Sequence, residues 1–296
     1  MLFTAIPPML YLLRDALFPM LVFLHAVLAG APPDRGRGSF AHARYRMMRV
    51  GRLPAGLRES SGLARADSGL WTHGDGGRPA RLTLVELPGT LRHRLDLAPL
   101  PNTDWEDLAQ DRAGRIYIGD FGNNRNQRRQ LAIYRVDPAA ARPHIDTIAF
   151  RFADQRAFPP PRGRRNFDCE AFFWHQDSLH LFSKDRSLRP WVKHYVLPAR
   201  PGTYVIAPRD SLRLNTLITA ADISPNGQTV ALLGYGGVFL FARQPGRRLF
   251  DSPKSFRALP RTGQAEALVF VDDSTFVVSN EKGKLFRGQR RAQASH

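Results

Sequence analysis

The sequence predicts an all-β fold, a five-bladed β-propeller whose ring is closed by a strand from the N-terminal side. The first supporting observation is a short acidic phrase that occurs five times, each time before an apolar run. Its acids are Glu59, Glu106, Glu170, Asp222 and Glu266. They follow one another after 47, 64, 52 and 44 residues. A repeat of about 50 residues in a strand-rich chain indicates one propeller blade per repeat.

The second observation is another recurring phrase, an apolar strand that ends in polar residues. It follows the acidic phrase in every repeat, at 70–75, 116–120, 179–185, 230–235 and 276–281. Turn residues separate the two phrases in four repeats, at 111–114, 176–178, 225–227 and 272–274. Apolar runs divided by such turns indicate antiparallel hairpins.

The third observation concerns the remaining strands of each blade. They are 131–136 and 147–152 in the second, 192–197 and a weaker run near 204–214 in the third, and 238–241 and 255–259 in the fourth. The last repeat stops after 284–287, one strand short, and 45–50 precedes the first repeat without a partner. We expect these two segments to pair, because closure leaves no exposed sheet edge.

A six-bladed ring is the alternative. It would place an extra blade inside the long interval between Glu106 and Glu170. That interval is too short to hold eight strands comfortably, so the spacing favours five blades.

The chain divides into four predicted regions. An apolar run at 16–31 follows Arg14, and small residues at 27–29 offer a cleavage point, which is typical of an export signal. We therefore expect a periplasmic or extracellular protein, and a retained membrane anchor is the alternative. The regions are 1–31 (signal peptide or membrane anchor), 32–44 (linker), 45–288 (a single propeller domain) and 289–296 (a disordered basic tail).

The single cysteine and the net charge narrow the function classes. One cysteine, Cys169, excludes an intramolecular disulfide and a cysteine-rich metal site, and we interpret it as a buried core thiol. A net charge of +17 is common in nucleic-acid-binding proteins. The predicted export signal and the lack of aromatic–basic alternation argue against that partner.

Propeller geometry turns the two phrases into a candidate site. The start of the first strand and the end of the second strand lie on the same face of a blade, so both phrases meet at one mouth of the central channel. The candidates are Glu59, Glu106, Asp107, Asp120, Asn123, Asn124, Glu170, Lys184, Asp185, Arg186, Asp222, Glu266 and Glu281. His73, Asp75, Asp104, Asp168 and Asn280 belong to the same two phrases.

A ring of five carboxylates requires compensation. Calcium accepts six to eight oxygen ligands, and Glu106 and Glu170 are its candidate ligands. Backbone amides of the adjacent blade, or Arg and Lys side chains, are the alternatives. A staple between blades must occur in every repeat, so repetition favours the amides. The loops that break the repeat, 120–124 and 184–186, are the better functional candidates.

Arginine clusters are expected to form a basic rim around this acidic mouth. They follow second strands or precede first strands at 125–129, 162–165 and 184–189. A basic rim would steer an anionic ligand towards the channel.

Four phrases carry a resemblance to a known group. Residues 59–64, 104–109, 118–124 and 221–227 resemble those of uncharacterised exported bacterial β-propeller proteins, and are distantly similar to the phytase-like (esterase-like) propeller group. The resemblance implies calcium held by acids at the channel mouth and phosphate bound by basic side chains, here Lys184 and Arg186. Phytase propellers have six blades, whereas the repeats here number five.

Three functions remain open, and so does the question of whether the protein is an enzyme. The first is an exported propeller that binds a ligand or protein partner at its acidic mouth. The second is a calcium-dependent phosphoester or ester hydrolase, and the third is a glycoside hydrolase that uses channel acids. The expected partner is an anionic small molecule, a glycan or a protein. We expect a monomer that contacts a membrane only through an uncleaved N-terminus, with calcium as the one candidate cofactor.

Overall fold

The five repeats fold into five sheets of four antiparallel strands around a central channel, as the sequence predicts, and two of the sheets carry one further, parallel strand. The computed structural model describes residues 40–57, 59–141, 143–186, 190–259 and 262–291. The predicted signal peptide or anchor lies outside these residues, as does most of the predicted linker. No helix in the described part of the chain is long and apolar enough to cross a membrane.

The strands are numbered in chain order. Two precede the first repeat, β1 (Ala41–His42) and β2 (Tyr45–Arg52). Blade 1 contains β3 (Ser60–Ala66), β4 (Gly69–Gly74), β5 (Arg81–Glu86) and β6 (Thr90–Asp96). Blade 2 contains β7 (Trp105–Gln110), β8 (Ile116–Asp120), β9 (Leu131–Val136) and β10 (Ile145–Phe152).

Blade 3 contains β11 (Asp168–His175), β12 (Ser178–Lys184) and β13 (Trp191–Pro198), followed by β14 (Gly202–Ile206) and β15 (Pro208–Arg213). Blade 4 contains β16 (Ile218–Ile223), β17 (Thr229–Gly234), β18 (Gly237–Ala242) and β19 (Lys254–Ala258). Blade 5 contains β20 (Ala265–Asp272), β21 (Thr275–Asn280) and β22 (Lys284–Arg290). Short 3-10 turns occur at Ala55–Leu57, Arg162–Arg164 and Leu249–Asp251.

The ring closes through β2, which supplies the missing outer strand of blade 5. It pairs antiparallel with β22, with Met48 opposite Arg287 and Arg49 opposite Phe286. This confirms the predicted pairing of 45–50 with 284–287 and the count of five blades. The domain runs slightly past the predicted end at residue 288, because β22 continues to Arg290.

Two blades gain a fifth strand that the sequence did not predict. The weak run at 204–214 is two strands, of which β14 pairs parallel with β10 of blade 2 while β15 completes blade 3. The end of the predicted linker is also part of the fold, since β1 pairs parallel with β19. Phe40 beside it packs edge-on against Phe239 and Phe241. Both additions cover edges that would otherwise be open to other strands.

Apolar side chains fill the spaces between neighbouring blades. Blades 2 and 3 enclose a cluster rich in phenylalanine, in which Phe121 lies edge-on to Phe172, with ring centroids 5.1 Å apart. Cys169 is fully buried in the same cluster, as predicted for a core thiol. Burial raises the pKa of this thiol well above its usual value. The residue is therefore part of the packing.

Removing the closing strand should abolish cooperative folding. Deletion of residues 45–50 uncovers the edge of β22 and removes the strand that ties blade 5 to the chain entering blade 1, so we expect no sigmoidal thermal transition by circular dichroism. Deletion of residues 40–42 is the control, because blade 4 keeps its four strands. Loss of the Phe40 contacts, worth about 2–3 kcal/mol, should lower the melting temperature by roughly 10 °C or less. Cooperative melting of the 45–50 deletion would contradict the closure.

Candidate functional site

A β-bulge at the start of each inner strand determines which side chains face the channel mouth. The extra residue lies between the paired positions that open β3, β7, β11, β16 and β20. The bulged residues are Ser61, Glu106 with Asp107, Glu170, Thr219 and Glu266. Bulges re-aim side chains beside many functional sites. Only three of the five repeated acids are therefore equivalent.

Glu59 and Asp222 depart from the predicted ring of five. Glu59 lies two residues before its bulge, in a left-handed backbone conformation (φ 63°), and its exposed carboxylate pairs with Arg78 at 2.5 Å. Asp222 lies three residues beyond its bulge, towards the far end of the channel, where it lines a small recess with Ser224. Its carboxylate accepts the amide N–H of Phe270 at 2.7 Å. Asp222 joins blades 4 and 5 and is absent from the mouth.

Asp107 is the main interblade staple. Its carboxylate is fully buried and accepts N–H groups from Leu108 at 2.9 Å, Phe172 at 3.2 Å and Ala221 at 3.2 Å. Burial raises the pKa of Asp107 well above its usual range, although these amides act in the opposite direction. One side chain thus connects blades 2, 3 and 4. The prediction that most of the repeated acids bind neighbouring amides is wrong, because among them only Asp222 does so in the described residues.

Three other candidates are structural. Asp120 is buried and accepts N–H groups from Asp104 at 3.2 Å and from Arg128 at 2.8 Å. Asn123 is buried too, and its amide N–H groups reach the adjacent blade-3 segment, the side chain donating to Phe167 O at 3.0 Å. Asp185 accepts the N–H of Trp191 at 3.0 Å and lines a different cavity. All three shape the mouth without lining it.

The mouth encloses a cavity of about 640 Å³. Its lining contains seven acidic and four basic side chains, although the whole chain carries a net charge of +17. The lining residues are Arg52, Glu59, Ser61, Asp75, Asp104, Glu106, Asn124, Glu170, Lys184, Arg186, Tyr235, Glu266, Glu281 and Lys282. Eight of the thirteen predicted candidates are brought together here, and Asp107, Asp120, Asn123, Asp185 and Asp222 are not.

Blade 3 supplies the positive side of the cavity. The buried ammonium of Lys184 lies 2.7 Å from Glu170, and Arg186 lies 3.5 Å from Glu170 and 3.4 Å from Asp168. Arg186 also donates to Asn124. Burial alone would raise the pKa of Glu170, but Lys184 and Arg186 hold it below its usual value. Glu170 is therefore an ion-pair partner in this structure, and its predicted role as a metal ligand beside Glu106 stays a prediction.

Blades 1 and 2 supply the negative side. Ligand oxygens of Asp75, Asp104 and Glu106 all lie within 4.8 Å of one another. Glu106 is only 7% exposed, and no described residue donates a hydrogen bond to its carboxylate. Burial and the charge of Glu170 raise the pKa of Glu106 well above its usual range and that of Asp104 to about 6. The three carboxylates repel one another, and none of them forms a direct ion pair with a described residue, although Lys184 and Arg128 act on them from a greater distance.

Two glycines leave the space that these carboxylates occupy. A Cβ atom on Gly122 would overlap Oε1 of Glu106 and Oδ2 of Asp104. A Cβ atom on Gly76 would lie 2.7 Å from Oδ1 of Asp104. The loop at 120–124, which the sequence singled out, thus contributes to the mouth through Gly122 as well as through Asn124.

Blade 4 contributes a tyrosine that positions Glu266. The Tyr235 hydroxyl lies 3.4 Å from Oε1 of Glu266, and Gln264 donates to the same hydroxyl at 3.2 Å. Burial raises the pKa of Glu266 to about 8, against the opposing charge of Lys184. Glu266 is consequently protonated at neutral pH, while Glu170 across the cavity is ionised.

Sequence reasoning missed four lining residues. Arg52, Ser61, Tyr235 and Lys282 were not candidates, yet all four face the cavity. A signal existed for Tyr235, because it ends the second-strand phrase of blade 4, as Asp75 does in blade 1. To predict Ser61 as a lining residue one must know where the bulge in β3 lies, and only the strand pairing reveals that position.

The three arginine clusters of the predicted basic rim do not meet at one place. In the cluster at 125–129, Arg128 pairs with Asp120, and Arg189 of another cluster lies outside the described residues. Lys184 and Arg186 line the mouth, but Arg162, Arg164 and Arg165 line a separate cavity beside blade 3. The connection between β10 and β11 folds outward and carries these arginines away from the channel. The mouth is therefore more acidic than the sequence suggested.

No protein-family model matches the sequence, and no curated protein matches it. Solved structures do resemble the fold. A PQQ-bound aldose sugar dehydrogenase from Streptomyces coelicolor is 12% identical, with 88% of this chain and 100% of that chain covered and a TM-score of 0.49. A gluconolactonase from Xanthomonas campestris is 14% identical, with 88% and 97% covered and a TM-score of 0.47.

The PQQ domain of a pyranose dehydrogenase from Coprinopsis cinerea is 12% identical, with 84% and 98% covered and a TM-score of 0.46. These neighbours are β-propellers of the gluconolactonase and PQQ-dehydrogenase types, and they do not single out the phytase-like group. At such identities and scores the similarity carries no argument about chemistry.

Replacing Asp107 with alanine should destabilise the ring. The amides of Phe172 and Ala221 would lose their acceptor in the core, at about 1–3 kcal/mol for each unsatisfied group. Urea unfolding should therefore show a loss of about 2–4 kcal/mol. Asp222→Ala, which frees one amide, should lose less, and Asp67→Ala on an exposed turn should lose almost nothing. Equal stability of the Asp107 and Asp67 variants would contradict the staple.

The raised pKa of Glu266 makes stability depend on pH. The folded protein holds this proton to about pH 8, whereas an unfolded chain releases it near 4.5. Between those values the unfolded chain binds fewer protons, so the free energy of unfolding falls as pH rises. From pH 7 to 8, metal-free protein should lose about 1 kcal/mol through Glu266.

Between pH 7 and 8 the buried histidines contribute almost nothing to the pH dependence of stability. Their lowered pKa values give the opposite slope, which ends near pH 6.5 where the unfolded chain titrates. Glu266→Gln should reduce the slope measured by urea unfolding in EDTA, and the remainder should come from Asp168, whose pKa burial raises to about 7, and from Glu106. Glu86→Gln on the outer face of blade 1 should leave the slope unchanged. The same slope in both variants would show that Glu266 is not the titrating group.

Proposed function

We propose that the channel mouth binds a divalent cation through Asp75, Asp104 and Glu106, and that the bound cation and Lys184 together hold an anionic ligand. The protein is then a cation-dependent ligand-binding propeller. One observation carries this proposal: three carboxylates have ligand oxygens within 4.8 Å of one another, and one of them, Glu106, is almost fully buried without a hydrogen-bond donor.

The electrostatics of the acid trio favour a cation. The raised pKa values of Asp104 and Glu106 reflect first their burial and then repulsion from Glu170 and from another member of the trio. A divalent ion would offset that repulsion directly. The nearby glycines, Gly76 and Gly122, leave the carboxylates free to approach one centre.

The ligand chemistry favours calcium among the divalent ions. All three candidate ligands are carboxylates, with no cysteine or histidine in the set, and hard oxygen donors suit calcium, magnesium or manganese. Calcium tolerates an irregular, flexible shell and leaves positions for water and a bound molecule. Millimolar calcium outside cells would fill even a weak site, which agrees with the export that the leader predicts.

The opposite wall of the cavity supports binding of an anion. Lys184 donates to Glu170, and its ammonium has two further N–H groups. Even with Glu266 protonated, the acids of the lining outnumber its four bases, so an anion alone gains little attraction there. A divalent cation on the acid trio reduces the net negative charge of the lining and gives the anion a direct ligand position, so the ligand and the cation should bind together.

A cation-assisted hydrolase of esters or glycosides is the second candidate. Its specific support is the contrast between Glu266, whose pKa of about 8 keeps it protonated, and Glu170, whose pKa is lowered. Two unlike carboxyl groups in one cavity can act as acid and base. Under this reading Glu266→Gln would lower the turnover of a model ester or glycoside without weakening calcium binding.

Calcium should raise the melting temperature of the wild-type protein at pH 7.5. A ligand that binds only the folded state stabilises it by mass action, by about 2.7 kcal/mol at one hundred times its Kd. Asp104→Asn and Glu106→Gln should lose the calcium shift. In EDTA each should melt at or above the wild-type temperature, because repulsion within the trio is relieved. Thermal melts and calorimetric titration measure both effects.

Matched variants separate the cation site from general loss of acid charge. Glu86→Gln should keep the full calcium shift, since its carboxylate lies far from the cavity. Gly122→Ala should weaken calcium binding through overlap with Asp104 and Glu106, whereas Gly56→Ala, where no atom lies within 4 Å of the added Cβ, should not. Absence of any shift with millimolar calcium, magnesium or manganese would overturn the proposal.

A further inference from the structure

A second cavity, of about 830 Å³, lies beside blade 3 and shares no lining residue with the channel mouth. Consecutive residues separate the two, since Asp185 lines this cavity and Arg186 lines the mouth. Its walls come from the connection between β10 and β11, the start of β13, and the first half of β15. Its size suits a small organic molecule.

The lining of this blade-3 cavity is strongly basic. It contains seven Arg and Lys side chains and three Asp side chains, the reverse of the mouth. Lys193 is paired with Asp154 at 2.7 Å, and Arg248 with Asp251 at 3.0 Å. The other five arginines have no acidic partner among the described residues; they are Arg156, Arg162, Arg164, Arg165 and Arg209.

The arginines are held close together by the backbone. Arg162 and Arg164 lie on one 3-10 turn, closed by the Arg164 N–H donating to Pro161 O at 2.8 Å. The side chain of Arg165 donates to Pro160 O at 3.1 Å, which fixes its guanidinium against the same turn. Several guanidinium groups without acidic partners are mutually repulsive, and an anion with two or more charges would neutralise them.

The same cavity carries a flat apolar surface. Trp191 at the start of β13 is 47% exposed, and it is one of two large hydrophobic side chains exposed in the described part of the chain. Pro160 and Pro161, in the connection between β10 and β11, line the same cavity. An exposed indole beside arginines is suited to stacking on a ring of a charged ligand.

We propose that the blade-3 cavity is a binding site for a phosphorylated ring compound, with its phosphate among Arg162, Arg164 and Arg165 and its ring against Trp191. Phosphate suits this wall because planar guanidinium groups donate in pairs to its oxygens, and because its double charge matches several arginines better than a single carboxylate does. The site is independent of the cation site at the mouth.

The binding test uses four probes: adenosine monophosphate, ribose 5-phosphate, inorganic phosphate and adenosine. Calorimetric titration in 0.15 M salt should give micromolar binding of adenosine monophosphate, weaker binding of ribose 5-phosphate and phosphate, and no binding of adenosine. Quenching of tryptophan fluorescence should accompany the nucleotide, and it should disappear in Trp191→Phe if Trp191 is the stacking ring. Failure of every phosphorylated probe to bind at 1 mM would overturn the proposal.

Charge-matched variants test the placement. The double variant of Arg164→Gln and Arg165→Gln should weaken nucleotide binding about tenfold or more. The double variant of Arg46→Gln and Arg94→Gln removes the same charge from exposed strand positions and should bind like wild type. Trp191→Ala should weaken the binding of adenosine monophosphate but leave the binding of inorganic phosphate unchanged. Equal losses in both double variants would show nonspecific attraction and overturn the site.

A last variant tests whether the two cavities bind their ligands independently. Asp104→Asn, which should lose calcium binding at the mouth, should bind adenosine monophosphate with wild-type affinity. Loss of nucleotide binding in Asp104→Asn would place the phosphate at the mouth and overturn the blade-3 assignment. Far-UV circular dichroism of each variant confirms that the ring is folded.

Discussion

The ladder between β2 and β22 is the constraint on which the rest of the molecule depends. Each blade buries its apolar faces only against the next one, so an open ring would expose two such faces and two sheet edges at once. Closure also sets the position of the inner strands, which line the channel. The bulges that open those strands can point side chains into one cavity only because the ring holds all five in register.

Within that ring, two neighbouring buried carboxylates differ in whether backbone N–H groups stabilise them. Asp107 lies deep in the channel and is satisfied by backbone N–H groups from three blades. Glu106, its neighbour in the chain, is almost as buried and has no donor in the described structure. A one-residue step along a bulged strand thus separates a structural carboxylate from one that is available to a ligand.

Sequence reasoning recovered the fold because periodicity survives divergence of the individual residues. The repeat spacing and the orphan strand at 45–50 were sufficient to predict five blades and their closure. The site was only partly predictable, because an acid two residues before a bulge (Glu59) or three after it (Asp222) looks like an acid on the bulge until strand pairing is known. The arginines at 162–165 were misplaced for a different reason: the path of a long connection is set by tertiary packing.

Closure by β2, a strand that precedes all five repeats in the chain, has a kinetic consequence. Tyr45 pairs with Arg290, so the final contact joins positions separated by almost the entire domain. The entropic penalty of closing so long a loop grows only with the logarithm of its length, so the equilibrium suffers little. High contact order slows folding, however, and the early strand remains without its partner until β22 has been synthesised. Blades 1 to 4 must therefore persist as an incomplete arc, which makes the lifetime of that arc the period in which the nascent chain is most exposed to aggregation.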